Sequence, residues 1–187
     1  MPIGGKGYDP PGTRRIREED IVSQQKSVTS KDGTPITYWH SGKGPPLVLV
    51  HGTGVDHGRW APVLPAFEQH FSACALDRRG RGASGDSEDY AIEREFEDIA
   101  AVVDSLGEPV ILLGHSCGAL CALEAVLLTT NVRKSVLYEP GIEVAGQELY
   151  SPADIERLEA LLEAGDRDGV VATFMHEVAG LPSETVE

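Results

Sequence analysis

The chain has 187 residues, of which 41% are hydrophobic and 25% are charged, a composition typical of a globular domain with a sizeable core. Its formal net charge of −14 argues against nucleic-acid binding, because phosphate contacts require clustered lysine and arginine. No segment reaches the roughly 18 consecutive apolar residues of a membrane helix, and the N-terminus lacks an apolar signal core, so we expect a cytoplasmic protein with no membrane partner.

In the first half of the chain, short apolar runs alternate with turn signals. Residues 1–21 are rich in glycine, proline and charge and are predicted to form a loosely held, flexible arm. Two β-rich runs flank Asp32-Gly33, which predicts a hairpin. Four continuous aliphatic runs predict strands buried in a sheet, namely Leu47–Val50, Phe71–Asp77, Pro109–His115 and Arg133–Pro140.

Helical patterns lie between these runs. A short helix is predicted over Pro62–His70, and a buried helix over Cys117–Thr129, where Glu124 is the only charge. An amphipathic helix is predicted from an apolar stripe at helical spacing: Ile92, Phe96, Ile99, Val103 and Leu106. The polar residues Glu93, Arg94, Glu97 and Asp98 lie off that stripe. Strands that alternate with helices predict an α/β fold, with a mostly parallel sheet and helices on both faces.

The pattern changes after Pro140. A capping serine, a first-turn proline and an acid occur together at Ser151, Pro152 and Asp154, which predicts the start of a helix. Apolar residues at helical spacing predict a second helix around Val170–Val178, and no further aliphatic strand run follows.

The segment Gly114-His115-Ser116-Cys117-Gly118 fits the pattern G-x-S-x-G and lies between a predicted buried strand and a predicted helix. A serine at such a turn is held in a strained conformation that lifts its hydroxyl above the sheet. We therefore predict that Ser116 is a nucleophile, that Gly114 and Gly118 let strand and helix approach, and that His115 has an orienting or packing role.

The segment His51-Gly52-Thr53-Gly54 follows a neighbouring predicted strand. Acyl transfer needs hydrogen-bond donors aimed at the developing oxyanion, and backbone N–H groups are suitable fixed donors. We expect this turn to present the N–H of Thr53 so that it converges with the N–H of Cys117.

The three cysteines, Cys74, Cys117 and Cys121, are odd in number and have no CxxC spacing, which predicts reduced thiols. At Cys117 we expect a backbone N–H contribution and not a reactive thiol.

A third glycine-rich segment contains Gly80, Gly82 and Gly85, which satisfy the dinucleotide fingerprint G-x-G-x-x-G. No predicted strand runs into the first glycine and no helix begins at the last, so no such cofactor is expected. The preceding residues, Asp77-Arg78-Arg79, predict a charged loop that supports the elbow.

In chain order, the turn at His51–Gly54, the loop at Asp77–Gly85 and the elbow at Gly114–Gly118 resemble the α/β-hydrolase superfamily. The resemblance covers about Ser27–Pro140. The resemblance implies a serine hydrolase that acts on a small-molecule acyl substrate without a cofactor. It implies Ser116 as nucleophile and the N–H groups of Thr53 and Cys117 as the oxyanion hole. It also implies a core of six strands over residues 22–140 and a partial helical cap over 141–187.

A triad acid and base are not evident in the chain. The family order is serine, acid, histidine, with the acid usually after the seventh strand and the base after the eighth. Glu139 ends the sixth predicted strand and is the candidate acid, while His176 lies on a predicted helix and His57 near the site, and neither is favoured as the base. His51 and His115 belong to motifs whose backbone acts. His51, His57 and His115 lack metal-ligand spacing, so no metal is expected.

We therefore expect an N-terminal portion of a longer hydrolase, weakly active or inactive alone. The sixth strand would be an exposed aliphatic edge, which favours self-association. Two alternatives remain open: a catalytically dead hydrolase-like domain that binds a ligand or partner, and a cofactor-free haloperoxidase or perhydrolase.

Overall fold

The computed structural model of the protein describes residues 23–142 and 150–180. The arm predicted over residues 1–21 and part of the predicted cap lie outside the described residues. None of the helices in the described ranges has the length and hydrophobicity to cross a bilayer.

Six strands form one mixed sheet in the order β1-β2-β4-β3-β5-β6. Their bounds are β1 (Gln24–Thr29), β2 (Pro35–Gly42), β3 (Pro46–Val50), β4 (Ser72–Leu76), β5 (Val110–His115) and β6 (Val132–Tyr138). The first two strands run antiparallel to their neighbours, and β4, β3, β5 and β6 run parallel to one another. The mostly parallel sheet predicted from the sequence is therefore confirmed.

The predicted hairpin joins β1 and β2. Gly33 has a φ of +92°, which favours glycine, and the backbone N–H of Thr34 donates to Asp32 Oδ1 at 3.0 Å. This turn matters for the site, because it brings the Asp32 carboxylate toward the loop that follows β4.

Within residues 23–142 and 150–180, five α-helices connect or follow the strands: α1 (Leu64–Glu68), α2 (Ile92–Ser105), α3 (Cys117–Ala125), α4 (Pro152–Glu163) and α5 (Arg167–Thr173). A 3₁₀ turn, His57–Trp60, precedes α1, and a π-helical turn, Phe174–Val178, follows α5. The predicted start of α4 is confirmed, because Ser151 and Asp154 form a reciprocal capping box.

Both faces of the sheet are covered. On one face, side chains such as Ile36, Val48 and Leu112 pack against α2 and α3. On the other, Leu47 and Leu49 pack with Trp60 and α1. All five residues of β3 are buried, which explains its uninterrupted aliphatic sequence. Each such side chain contributes about 1.5–3 kcal/mol when fully buried.

One detail of the helix predictions was wrong, and one was incomplete. The buried helix predicted to reach Thr129 ends at Ala125, because the chain turns there to reach β6, and Leu127 is 79% exposed. In α2, Asp98 lies off the apolar stripe as predicted, but it is buried, as is Glu95. Ion pairs described below explain this burial.

Candidate active site

Ser116 lies at the junction of β5 and α3, with a φ of 53° and a ψ of −126°. A non-glycine residue with positive φ is uncommon and strained, and such strain persists only where the surroundings enforce it. The Ser116 N–H donates to the carbonyl of Tyr138 at 3.0 Å, and the Ser116 carbonyl accepts from the N–H of Ala119 at 2.9 Å. The strained residue is thus held by β6 on one side and by the first turn of α3 on the other.

The glycines that flank this serine lie at two close approaches. A Cβ on Gly114 would lie 2.5 Å from the carbonyl oxygen of Gly118. A Cβ on Gly118 would meet the carbonyl oxygens of His51 and Val50, the latter at 2.7 Å. Both distances are far below van der Waals contact, so the first turn of α3 can rest on the end of β3 only without these side chains.

The turn after β3 lies directly against the serine. A Cβ on Gly52 would be 3.2 Å from Ser116 Cβ and 3.3 Å from His115 Nδ1. His51 is fully buried, its Nε2 accepts from the N–H of Arg78 at 3.1 Å, and its Nδ1 lies 2.9 Å from the carbonyl oxygen of Gly52. These partners identify the neutral tautomer with the proton on Nδ1, which donates to Gly52. Burial lowers the pKa of His51 to about 4.

Arg78 connects the two turns that border the serine. Its guanidinium donates through Nη1 to the carbonyl of Gly52 at 3.1 Å and through Nη2 to Cys117 Sγ at 3.5 Å. Only 3% of this side chain is exposed. Because the Gly52 peptide is trans, a carbonyl turned toward Arg78 directs the N–H of Thr53 to the opposite side.

Buried carboxylates neutralise this arginine and its neighbour. Arg78 Nε pairs with Glu95 of α2, and Glu95 also accepts from the Tyr90 hydroxyl at 2.8 Å. Burial raises the pKa of Glu95, but the hydrogen bond and charge of Arg78 outweigh it and the pKa is lowered overall.

The neighbouring arginine, Arg79, makes a bidentate pair with Asp98 at 2.7 Å for both bonds and a third bond to Asp32 at 2.9 Å. The hydrogen bonds of Arg79 hold the pKa of Asp32 well below its usual range. The sequence-based prediction of a charged loop at Asp77-Arg78-Arg79 did not include the carboxylates that pair with the two arginines. Asp98 was placed off the apolar stripe without a partner, and Glu95, three residues after Ile92 and four before Ile99 on that stripe, was not singled out. The available signal was two adjacent arginines directly after a buried strand.

Asp77 is buried and accepts four N–H hydrogen bonds, from the backbone and ring of His57, from Ala83 and from Trp39. Burial raises the pKa of Asp77, and these bonds outweigh it, so the carboxylate is favoured. Asp56, His57 and Asp77 form the one candidate metal cluster in the described ranges. The Asp77 carboxylate already accepts these four hydrogen bonds, which leaves it without free lone pairs for a cation, so the cluster does not favour a metal.

His115 and Glu139 lie at the open side of the serine. His115 stacks on Tyr138 with ring centroids 5.3 Å apart, and its Nε2 is 3.9 Å from a Glu139 carboxylate oxygen. Glu139 has a φ of 47°, and its side chain is 71% exposed. His176, in the π-helical turn, is partly buried. The roles predicted for these three residues stay predictions.

Two cavities meet at Ser116. The first, of about 430 Å³, lies between Cys117 and the helices α4 and α5 and has mainly apolar walls, including Leu120, Leu158, Leu162, Val170 and Phe174. The second, of about 400 Å³, includes Arg59, His115, Glu139 and Met175. Thr53 and Ser116 line both. The two volumes are in the range of small-molecule sites.

The arrangement is chemically suited to acyl transfer. The N–H groups of the first turn of α3, which have no partner within the helix, begin beside Ser116, and the Gly52 peptide, held by His51 and Arg78, lies against it. An apolar cavity on one side and a more polar one on the other provide space for two unlike halves of a substrate.

Comparisons with known proteins identify the family and the fold. A sequence profile described as the alpha/beta hydrolase family matches residues 47–186. Among curated proteins, the pimeloyl-[acyl-carrier protein] methyl ester esterase of Pseudoalteromonas atlantica is 38% identical over 99 residues, which cover 51% of this chain and 37% of that protein.

Two solved structures are similar over most of the chain. An alpha/beta hydrolase from Sphaerobacter thermophilus has a TM-score of 0.74 and 39% identity, with 86% of this chain and 63% of that chain covered. The bottromycin epimerase BotH, solved with bottromycin A2, has a TM-score of 0.70 and 31% identity, with 87% of this chain and 65% of that chain covered. The chain therefore spans less than two thirds of the length of these relatives.

Proposed function

The chain belongs to the alpha/beta hydrolase family, and we propose that it carries the nucleophile, oxyanion hole and acyl pocket of a serine esterase. In the proposed reaction, Ser116 Oγ attacks the ester carbonyl, and the alcohol leaves. Water then hydrolyses the acyl-enzyme.

One observation carries the proposal: the strained backbone of Ser116 where a buried strand meets a helix and two cavities join. Strain of this kind costs of order 1–3 kcal/mol and is characteristic of functional positions. A serine that only capped α3 would not need it, since an N-cap residue normally has extended backbone, and Ser116 makes no side-chain cap bond to the helix.

The clamped turn after β3 supports the oxyanion hole. His51 and Arg78 both donate to the carbonyl of Gly52. They hold the carbonyl edge of that planar peptide, and the N–H of Thr53 lies on the opposite edge. The N–H of Cys117, in the first turn of α3, has no partner within the helix. Removing one such donor from an oxyanion hole typically costs about 10²–10³ in kcat.

The cavity walls support an apolar acyl group. The cap side of the larger cavity contributes leucine, valine and phenylalanine side chains. The curated relative that acts on a methyl ester supports an ester as the bond cleaved. Because the chain spans only part of its relatives, turnover and the choice of alcohol are proposed for the whole protein, and acylation of Ser116 is the step proposed for the residues described.

The direct test is reaction with an alkyl fluorophosphonate probe, which forms a covalent bond with an activated serine. We expect the wild-type chain to be labelled at Ser116, as located by peptide mass spectrometry, and Ser116→Ala to remain unlabelled. The matched control is Ser105→Ala, at the exposed end of α2, which should be labelled like the wild type. Circular dichroism verifies that each variant is folded.

A folded wild-type chain that resists the probe, or equal labelling of Ser116→Ala, would contradict the proposal. The first result would favour the alternative of a binding domain. The bottromycin epimerase is a reminder that this fold also carries enzymes described by other reactions, so the fold alone does not select the chemistry.

A further inference from the structure

Cys117 has a position that its proposed backbone role does not require. It is the first residue of α3, it is partly exposed, and its side chain lines the larger cavity beside Ser116. A thiol at this point of the cavity is open to any small molecule that enters.

A buried cation lies against the sulfur of Cys117. Arg78 Nη2 donates to Cys117 Sγ at 3.5 Å and comes from a guanidinium that is almost completely buried. The sulfur also lies at the N-terminus of a nine-residue helix. The Cys121 thiol, one helical turn later, and the Thr53 hydroxyl act on the pKa of Cys117 as further hydrogen-bond donors.

This environment favours the thiolate. The Cys121 thiol, as a donor, and then the Arg78 charge hold the pKa of Cys117 well below that of an ordinary thiol, while burial opposes them. The charged groups that oppose the thiolate are Glu95 on α2, which is itself paired with Arg78, and Glu159 on α4, which lines the same cavity.

The other two cysteines differ. Cys74 is fully buried in the apolar core, and burial raises its pKa to about 12. Cys121 is buried, and its bond to Cys117 raises its pKa because it is the donor of the pair. The chain therefore contains one accessible thiolate candidate and two internal controls.

We propose that Cys117 is a modification site, a reactive thiolate whose capture by soft electrophiles or peroxides closes the cavity beside Ser116. This proposal differs from the sequence-based expectation that Cys117 acts only through its backbone N–H. The regulation of Ser116 rests on the proposed function, whereas the reactivity of the thiolate does not.

The chemistry is balanced in both cases. With iodoacetamide, the thiolate forms an S–C bond and iodide leaves with the electron pair of the C–I bond. With hydrogen peroxide, the thiolate attacks one oxygen, the O–O bond breaks, and sulfenic acid and hydroxide form. The sulfur loses two electrons and the peroxide gains them. Either product enlarges the side chain that borders the serine.

The first experiment measures the rate of alkylation of the intact, folded chain by iodoacetamide between pH 6 and 9, with each cysteine located by fragment mass spectrometry. We expect Cys117 to react at pH 7 within about twofold of its rate at pH 9, because it is already ionised. An unperturbed thiol of pKa ~8.5 would gain about 20-fold over the same interval. Cys74 should remain unmodified until the protein is denatured. A 20-fold gain at Cys117, or alkylation of Cys117 only after denaturation, would overturn the proposal.

Two variants test the cause. Arg78→Met removes the cation, and Cys121→Ala removes the sulfur donor while leaving the Arg78–Glu95 pair intact. In each we expect the ratio of the Cys117 rates at pH 9 and pH 7 to rise by at least about fivefold. If Arg78→Met does not fold, the pH dependence of Cys117 alkylation in the wild type and in Cys121→Ala still tests the proposal. An unchanged ratio in Cys121→Ala would contradict the assignment of the Cys121 thiol as a donor to Cys117.

The last experiment separates this proposal from the proposed function. The chain is treated with iodoacetamide, and its fluorophosphonate labelling at Ser116 is compared with its own untreated rate. We expect at least a tenfold loss in the wild type and less than a twofold loss in Cys117→Ser, each relative to its own untreated reaction. Alkylation of Cys117 in Ser116→Ala should be unchanged. Undiminished labelling after complete alkylation would overturn the regulatory part, whereas absent labelling before treatment would contradict only the proposed function.

Discussion

The two walls of the cavity at Ser116 are built in different ways. The sheet side consists of the ends of β3, β4 and β5 with their loops, and it contains the buried side chains of His51, Arg78 and Arg79. The cap side consists of α4, α5 and the turn Phe174–Val178. In the described part of the chain, neither α4 nor α5 has a buried residue, and Met175 of the turn is the buried side chain of this wall.

Because of this difference, the sheet side fixes the position of Ser116, and the cap side shapes the pocket. On the sheet side, glycine contacts, ion pairs and a buried histidine all constrain the same few peptides. On the cap side, amphipathic helices present apolar side chains to a cavity and are held mainly by local caps. Segments with few buried contacts open at low free-energy cost. Substitutions on the sheet side should therefore change global stability, and those on the cap side should act locally.

The largest expected effect tests the buried ion pairs. Asp98→Ala leaves the buried Arg79 with Asp32 as its remaining carboxylate partner. Removing one partner of a buried pair typically costs about 3–5 kcal/mol of the free energy of unfolding, to be measured by urea denaturation at pH 7. The matched control is Lys31→Ala. This removes a pair to Glu97 in which Lys31 is 74% exposed, so the expected loss is about 0–1 kcal/mol. Equal losses in the two variants would contradict the claim that burial makes the Arg79–Asp98 pair important for stability.

The second effect is a loss of stability in mild acid. Because the pKa of His51 is about 4 in the folded chain and about 6.5 when unfolded, the unfolded state takes up a proton first as the pH falls. Stability should be fully present above pH 6.5 and should fall by about 3 kcal/mol as the pH decreases to 4. His51→Asn keeps a donor for Gly52 but does not titrate. Between pH 6.5 and 4, the free energy of unfolding of His51→Asn should therefore fall by about 3 kcal/mol less than that of the wild type, as measured by urea titrations at each pH. An identical pH profile in the two proteins would exclude His51 as the cause.

The smallest effect tests the cap side. Ser151→Ala removes the hydroxyl that accepts from the N–H of Asp154 at 3.2 Å. Loss of an N-cap typically costs ~1 kcal/mol, which corresponds to about a fivefold loss of hydrogen-exchange protection in α4. Amides of β5 should keep their protection, since α4 has no buried residue to couple it to the sheet. Equal loss in β5 would mean that the two walls unfold together.

Much of the fold follows from local pattern. The aliphatic run at β3, the hairpin at Asp32-Gly33 and the capping box at Ser151 were predicted because each depends on residues close together in sequence. The elbow at Ser116 was predicted for the same reason, since strand, turn and helix are consecutive. The end of α3 was misplaced because the chain leaves the helix to reach β6, which is a tertiary requirement.

The electrostatic support of the site could not be derived in this way. Arg78 and Glu95 are 17 residues apart, and only the packing of α2 against the sheet brings them together. Periodicity placed Asp98 off the apolar stripe of a helix, where charged residues are usually solvated, and it gave no partner for Glu95, which lies beside that stripe. Their burial became favourable only because two consecutive arginines face them from the loop after β4.

The sequence by itself thus determined the order of strands and helices, the family and the elbow that presents Ser116, because these depend on periodicity and on glycines at short spacing. The tertiary structure alone decided which carboxylates neutralise Arg78 and Arg79, how the Gly52 peptide is oriented, and that Cys117 lies against a buried cation. The physical reason is that hydrogen bonds and charges act over a few ångströms in space, whatever the separation along the chain.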